Sequence, residues 1–139
     1  MTVNRHMPAV RSAIAGARRL APDILAALFA VSGAGHLARP ASYEALIPPF
    51  LPAPGAIIAI SGAAEIICAV GLLRRDWWAG PMSAALLVAV FPGNVWFALA
   101  TTSAVDSAGL LVVVSWLRLP LQLPLIWAAL QSNAGARHR

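Results

Sequence analysis

Apolar residues are gathered into four runs along this chain, at about residues 23–37, 55–73, 78–100 and 109–130, with short polar or proline-rich connections between them. A helix rises 1.5 Å per residue, so each of the last three runs can cross roughly 30 Å of hydrocarbon. The first run is shorter. The pattern predicts an all-α membrane protein, a bundle of four transmembrane helices. Residues 1–21 then form a basic cytoplasmic arm, 22–130 the transmembrane domain and 131–139 a cytoplasmic tail.

Each run carries a polar or ionisable group where lipid is expected: His36, Glu65, Asn94, and Arg118 with Gln122. A charge near the bilayer centre costs at least about 2.5–3.5 kcal/mol, so such residues face the bundle interior and find partners. These five are the candidates for ligand binding or proton handling. Counted from Gly55 and Gly109, Glu65 and Arg118 lie roughly 15 and 14 Å deep, and the shared depth suggests a structural ion pair between them. Ser115, Arg118 and Gln122 fall on one helical face, an expected inward seam. His36 and Asn94 are expected in a second polar layer nearer the outer surface. Small residues around Glu65, namely Ser61, Gly62, Cys68 and Ala69, permit close helix approach.

Proline divides the rest. Pro40, Pro48, Pro49, Pro52 and Pro54 exclude a continuous helix between the first two runs. A short interfacial helix over 41–47 and an extended turn on the outer face fit that segment, as a stiff connector or as a lid. Pro92, Pro120 and Pro124 interrupt the backbone ladder of the third and fourth helices, freeing carbonyls that Arg118, Gln122 or water can satisfy.

Composition agrees with the pattern: 60% of residues are hydrophobic and 11% charged, far from a soluble average. The formal charge of +5 comes from arginine alone. Eight of the ten arginines lie in the amino-terminal arm, at Arg74-Arg75 and in the tail, which places those segments in the cytoplasm and makes nucleic acid the weaker explanation of the charge. A cleaved signal peptide over the first run would put the remaining basic segments in conflict with that rule, so an uncleaved first helix is preferred. Trp77, Trp78 and Trp127 suit an interfacial belt, and Trp96 and Trp116 suit packing at membrane depth. Cys68 is the single cysteine, which rules out dithiol exchange within one subunit. No metal site is expected, because His6, His36 and His138 are far apart.

Several segments in order resemble the DoxX family of small four-helix membrane proteins: Gly35-His36 with Arg39-Pro40, Pro48 to Pro54, Gly62 to Glu65 with Gly71-Leu72-Leu73, Val88 to Asn94, and Trp116 to Gln122. The resemblance spans about residues 25–130. It implies a bacterial inner-membrane protein linked to redox metabolism, with relatives that include a subunit of a thiosulfate:quinone oxidoreductase and a partner of oxidative-stress enzymes. Three readings stay open. The first is a quinone-linked oxidoreductase subunit, with His36 or Glu65 moving protons, Arg118, Asn94 or Gln122 holding a carbonyl oxygen, and electrons supplied by a redox protein partner. The second is a non-catalytic scaffold or assembly partner for oxidoreductases. The third is a small-solute or proton pathway. The lipid bilayer is a partner in all three, and small helix faces permit a homo-oligomer.

Overall fold

The computed structural model describes residues 7–104 and 108–132, without the side chains of residues 7–11, 13, 14 and 18. Among the described residues there are four long helices, α1 (Met7–Ala38), α2 (Pro54–Leu73), α3 (Ala79–Ser103) and α4 (Gly109–Gln131), with a 3₁₀ segment (Pro40–Leu46) and no strand. All four carry stretches long and apolar enough to cross a membrane, Ala15–Ala38 in the case of α1.

The α1 span exceeds the short run read from the sequence. The helix passes through Pro22 without ending, and residues 7–21, expected as a separate arm, belong to it. The other three limits agree with the apolar runs to within a few residues, because the helices stop where Arg74-Arg75 or small and polar residues interrupt the hydrophobic pattern. The connection holding Asp106 and the tail with Arg137, His138 and Arg139 lie outside the described residues.

The helices form a ring in which α1 packs on α2, α2 on α3, α3 on α4 and α4 on α1. Hence α1 and α3, and likewise α2 and α4, stand diagonally. The α1–α2 contact is the closest, because a Cβ on Gly33 would lie 2.7 Å from the Gly62 carbonyl oxygen and one on Gly62 2.8 Å from the His36 Cβ. Only glycine allows backbones this near. Leu25, Ala26, Phe29, Cys68, Ala69, Leu72, Ala79, Ala84, Leu87 and Ala129 form the apolar core. At one end of the bundle Arg75 donates to both carboxylate oxygens of Asp23, at 2.8 and 2.9 Å, tying the α2–α3 turn to α1.

α3 and α4 are joined by hydroxyls. Thr101 and Ser115 share a hydrogen bond of 3.0 Å, and the Trp116 indole donates to Thr102 at 2.9 Å. The same hydroxyls return to carbonyls of their own helices, Thr101 to Phe97, Thr102 to Ala98 and Ser115 to Val112. Between α2 and α3 the packing is looser, with a groove of about 320 Å³ lined by Ala64, Ile67, Cys68, Met82, Ala85, Leu86 and Ala89.

Candidate functional site

The polar residues separate into two groups and one residue apart. The first group lies between α1 and α2, where His36 Nδ1 stands 3.5 Å from Glu65 Oε2. Neither atom makes a hydrogen bond within the protein, and both are buried, with Glu65 only 6% exposed. At 3.5 Å the two are too far apart for a strong hydrogen bond, so each keeps capacity for a third group. Ser32, one turn before His36, lies beside the carboxylate.

Local sequence explains this geometry. Gly33 and Gly62 bring the two backbones together, and the next glycine brings in the connection. A Cβ on Gly35 would collide with the Tyr43 hydroxyl, so its absence lets the 3₁₀ segment lie on α1. The Tyr43 ring then meets the His36 ring edge-on, with centroids 4.4 Å apart. Further along, Gly93 leaves room for the Leu46 carbonyl, and Phe50 packs edge-on against Trp96. The connecting segment therefore rests on α1, α2 and α3 and meets the pair at His36 through Tyr43.

The second group is at the α3–α4 contact. Asn94 donates to the Gln122 carbonyl oxygen at 3.4 Å, and the buried Gln122 amide donates to the Leu87 carbonyl. Leu87 precedes Val88, whose carbonyl loses its helical donor at Pro92. Gln122 thus binds the α3 backbone one residue before the carbonyl that Pro92 frees, and its oxygen accepts from Asn94.

Arg118 stands apart. Ser115 and Gln122 are buried but Arg118 is exposed, so the expected inward seam holds at its two ends and not at its centre. The expected Glu65–Arg118 ion pair is not among the ion pairs of the described residues, and His36 takes Arg118's place beside Glu65. The cause is the ring order: α2 and α4 are diagonal, so equal depth does not bring their side chains together. Arg118 is still near enough for its charge to act on both His36 and Glu65. Of the two residues expected in one outer layer, His36 is paired with Glu65 and Asn94 with Gln122.

Tyr43, Ser83 and Asp23 were not singled out in the sequence. Two of the three had a visible cue: Gly35 eight residues before Tyr43, and a lone acid facing a basic turn. Ser83 had none.

A family model described as a domain of unknown function, DUF8561, matches residues 25–133, most of the chain and all four apolar runs. The chain belongs to that family. No curated protein and no solved structure matches it.

Proposed function

We propose that this member of the DUF8561 family is a DoxX-like multi-pass protein of a bacterial inner membrane with both ends in the cytoplasm, and that His36 and Glu65 form a proton-handling site for a carbonyl-bearing headgroup of the quinone type. The reading rests on one observation: His36 Nδ1 and Glu65 Oε2 are buried 3.5 Å apart with no hydrogen bond to the protein. Buried polar groups without partners are costly, and they are retained where something else binds.

The atoms suit such a headgroup. A neutral imidazole can donate from one nitrogen and accept at the other, and a carboxyl can give or take a proton, so the pair can hydrogen-bond a carbonyl or hydroxyl oxygen and exchange a proton with it. Tyr43 closes the site from the side of the proline-rich segment, and Arg118 adds positive charge at its edge. A bound quinone supplies the electron-accepting chemistry, with electrons delivered by a partner oxidoreductase. The chain's share is to bind, orient and move protons at His36 and Glu65. Four crossings return the chain to its starting side, and eight of ten arginines in the cytoplasmic segments fit that orientation.

Purification in native lipid particles, followed by extraction and mass spectrometry, tests the reading. A stoichiometric quinone in the wild type that is lost in folded His36→Gln and Glu65→Gln supports it. Absence of quinone even after addition in excess sinks it and leaves the second reading, a membrane scaffold. That alternative has its own observation in the Gly33–Gly62 approach, which the His36–Glu65 pair would then only fasten.

A further inference from the structure

The inward faces of α1 and α4 change character along the bundle. Leu25, Phe29, Ser32 and His36 fall on one stripe of α1, and Ala129, Leu125 and Arg118 on one stripe of α4. Towards the Asp23–Arg75 end both stripes belong to one apolar core, where Leu25, Phe29 and Ala129 are buried and Leu125 packs against them. Towards the other end the same stripes open: Ser32 and His36 are partly exposed and Arg118 is exposed. Phe29 to His36 and Leu125 to Arg118 are each two helical turns, about 10 Å, so the core gives way to the opening over that distance.

The rest of the fold leaves this side uncovered. α4 packs less extensively on α1 than on α3, and the 3₁₀ segment rests on α1, α2 and α3, so the α4 side of the His36–Glu65 pair is the one it covers least. Arg118 stands there. It belongs to none of the ion pairs of the described residues, and its charge reaches both His36 and Glu65. A helical side chain leans towards the amino-terminus of its helix, which for α4 is the end shared with the 3₁₀ segment. A guanidinium at membrane depth draws water or an anion to itself, since bare hydrocarbon around it is costly. An opening, a cation beside it and the buried, unpartnered Glu65 Oε2 and His36 Nδ1 therefore occupy one side of the bundle.

We propose that a hydrated cleft between α1 and α4 leads to the His36–Glu65 pair, and that Arg118 makes it select headgroups bearing a negatively charged oxygen, such as an ionised hydroxyl. The inference rests on the reading of the pair as a headgroup site and names the route and the class of headgroup. Arg118 donates its N–H groups to the charged oxygen, the pair keeps the carbonyl or hydroxyl oxygen, and no covalent bond changes on binding.

Ser32, one turn before His36, reports on the cleft. In a Cys68→Ser background, Ser32→Cys should react with methanethiosulfonate reagents added in water, whereas Leu117→Cys, on the opposite face of α4, should not. Relative to a free thiol in solution, the anionic sulfonatoethyl reagent should be favoured over the cationic trimethylammonium one. Arg118→Gln should lower that anionic-to-cationic rate ratio at least about tenfold, because one charge acts oppositely on the two reagents. Failure of both reagents at Ser32→Cys, or equal reaction at Leu117→Cys, overturns the cleft. No anionic preference with Arg118 in place, or an unchanged ratio in folded Arg118→Gln, overturns the selection. On the ligand side, a hydroxynaphthoquinone ionised at neutral pH should bind the unaltered protein at least about tenfold more tightly than its neutral methyl ether, and equal affinities overturn the selection. Binding of neither is a failure of the headgroup reading, and the reagent rates, which involve no quinone, still decide the cleft and its charge.

Discussion

At the scale of single residues, glycine sets the α1–α2 distance and with it the His36–Glu65 geometry. An alanine Cβ at Gly62 would lie 2.8 Å from His36 Cβ and 3.0 Å from the Gly33 carbonyl oxygen, neither of which can swing away. Gly62→Ala should therefore destabilise the bundle by about 1–3 kcal/mol, the usual cost of overpacking. At Gly109, with open space around it, the same change should stay within about 0.5 kcal/mol. Thermal unfolding in mild detergent compares the two, and equal melting temperatures would show that the close approach is unimportant. The ionisable residues give a second expectation. Double-mutant cycles with glutamine at His36 and Glu65 should return a coupling of about 0.5–3 kcal/mol, as neighbours do. The cycle for Glu65 and Arg118 should return less, since the two act on each other only across a distance. A larger coupling for Glu65 with Arg118 than with His36 would restore the direct ion pair.

At the scale of elements, the prolines remove helical donors without ending the helices. In α3 the Pro92 gap falls at the Val88 carbonyl, and one residue earlier the α4 amide of Gln122 donates to the Leu87 carbonyl. Gln122→Leu should cost about 1 kcal/mol, within the range measured for polar contacts between membrane helices, and should speed amide exchange around Phe91. Asn94→Ala should cost less, because its contact with Gln122 is 3.4 Å long. Amide exchange at Phe91 unchanged in Gln122→Leu would mean that the glutamine only fills space. Much of this level was legible beforehand. Hydrophobic runs gave three helices to within a few residues, since each run is as long as its apolar pattern. The α1 start was not legible, because helical hydrogen bonding continues through Pro22 into a stretch too mixed in polarity to read as apolar.

At the scale of the whole molecule, counting residues along each helix could not say which helices are neighbours. Counting residues gave Glu65 and Arg118 one expected depth, yet a bundle also has an angular coordinate, and the ring order puts α2 and α4 diagonally apart. That order follows from which helix carries matching small residues: Gly33 faces Gly62, and Gly71 receives the Trp78 ring and Ala79. It also collects charge at one end, where the Asp23–Arg75 link joins α1 to the α2–α3 turn beside Arg74. The link itself is exposed and adds at most about 1 kcal/mol, so its consequence is topological more than energetic. If arginines set the orientation, that end is cytoplasmic and the Tyr43 segment is outside. In a Cys68→Ser background, a cysteine placed at exposed Trp77 should then react with an impermeant maleimide only in inside-out vesicles. One at exposed Phe50 should react only in right-side-out cells stripped of their outer membrane. Labelling of both positions from one side would break the four-crossing arrangement. The reversed pattern would keep the bundle and turn the molecule over, so that the Tyr43 segment would face the cytoplasm.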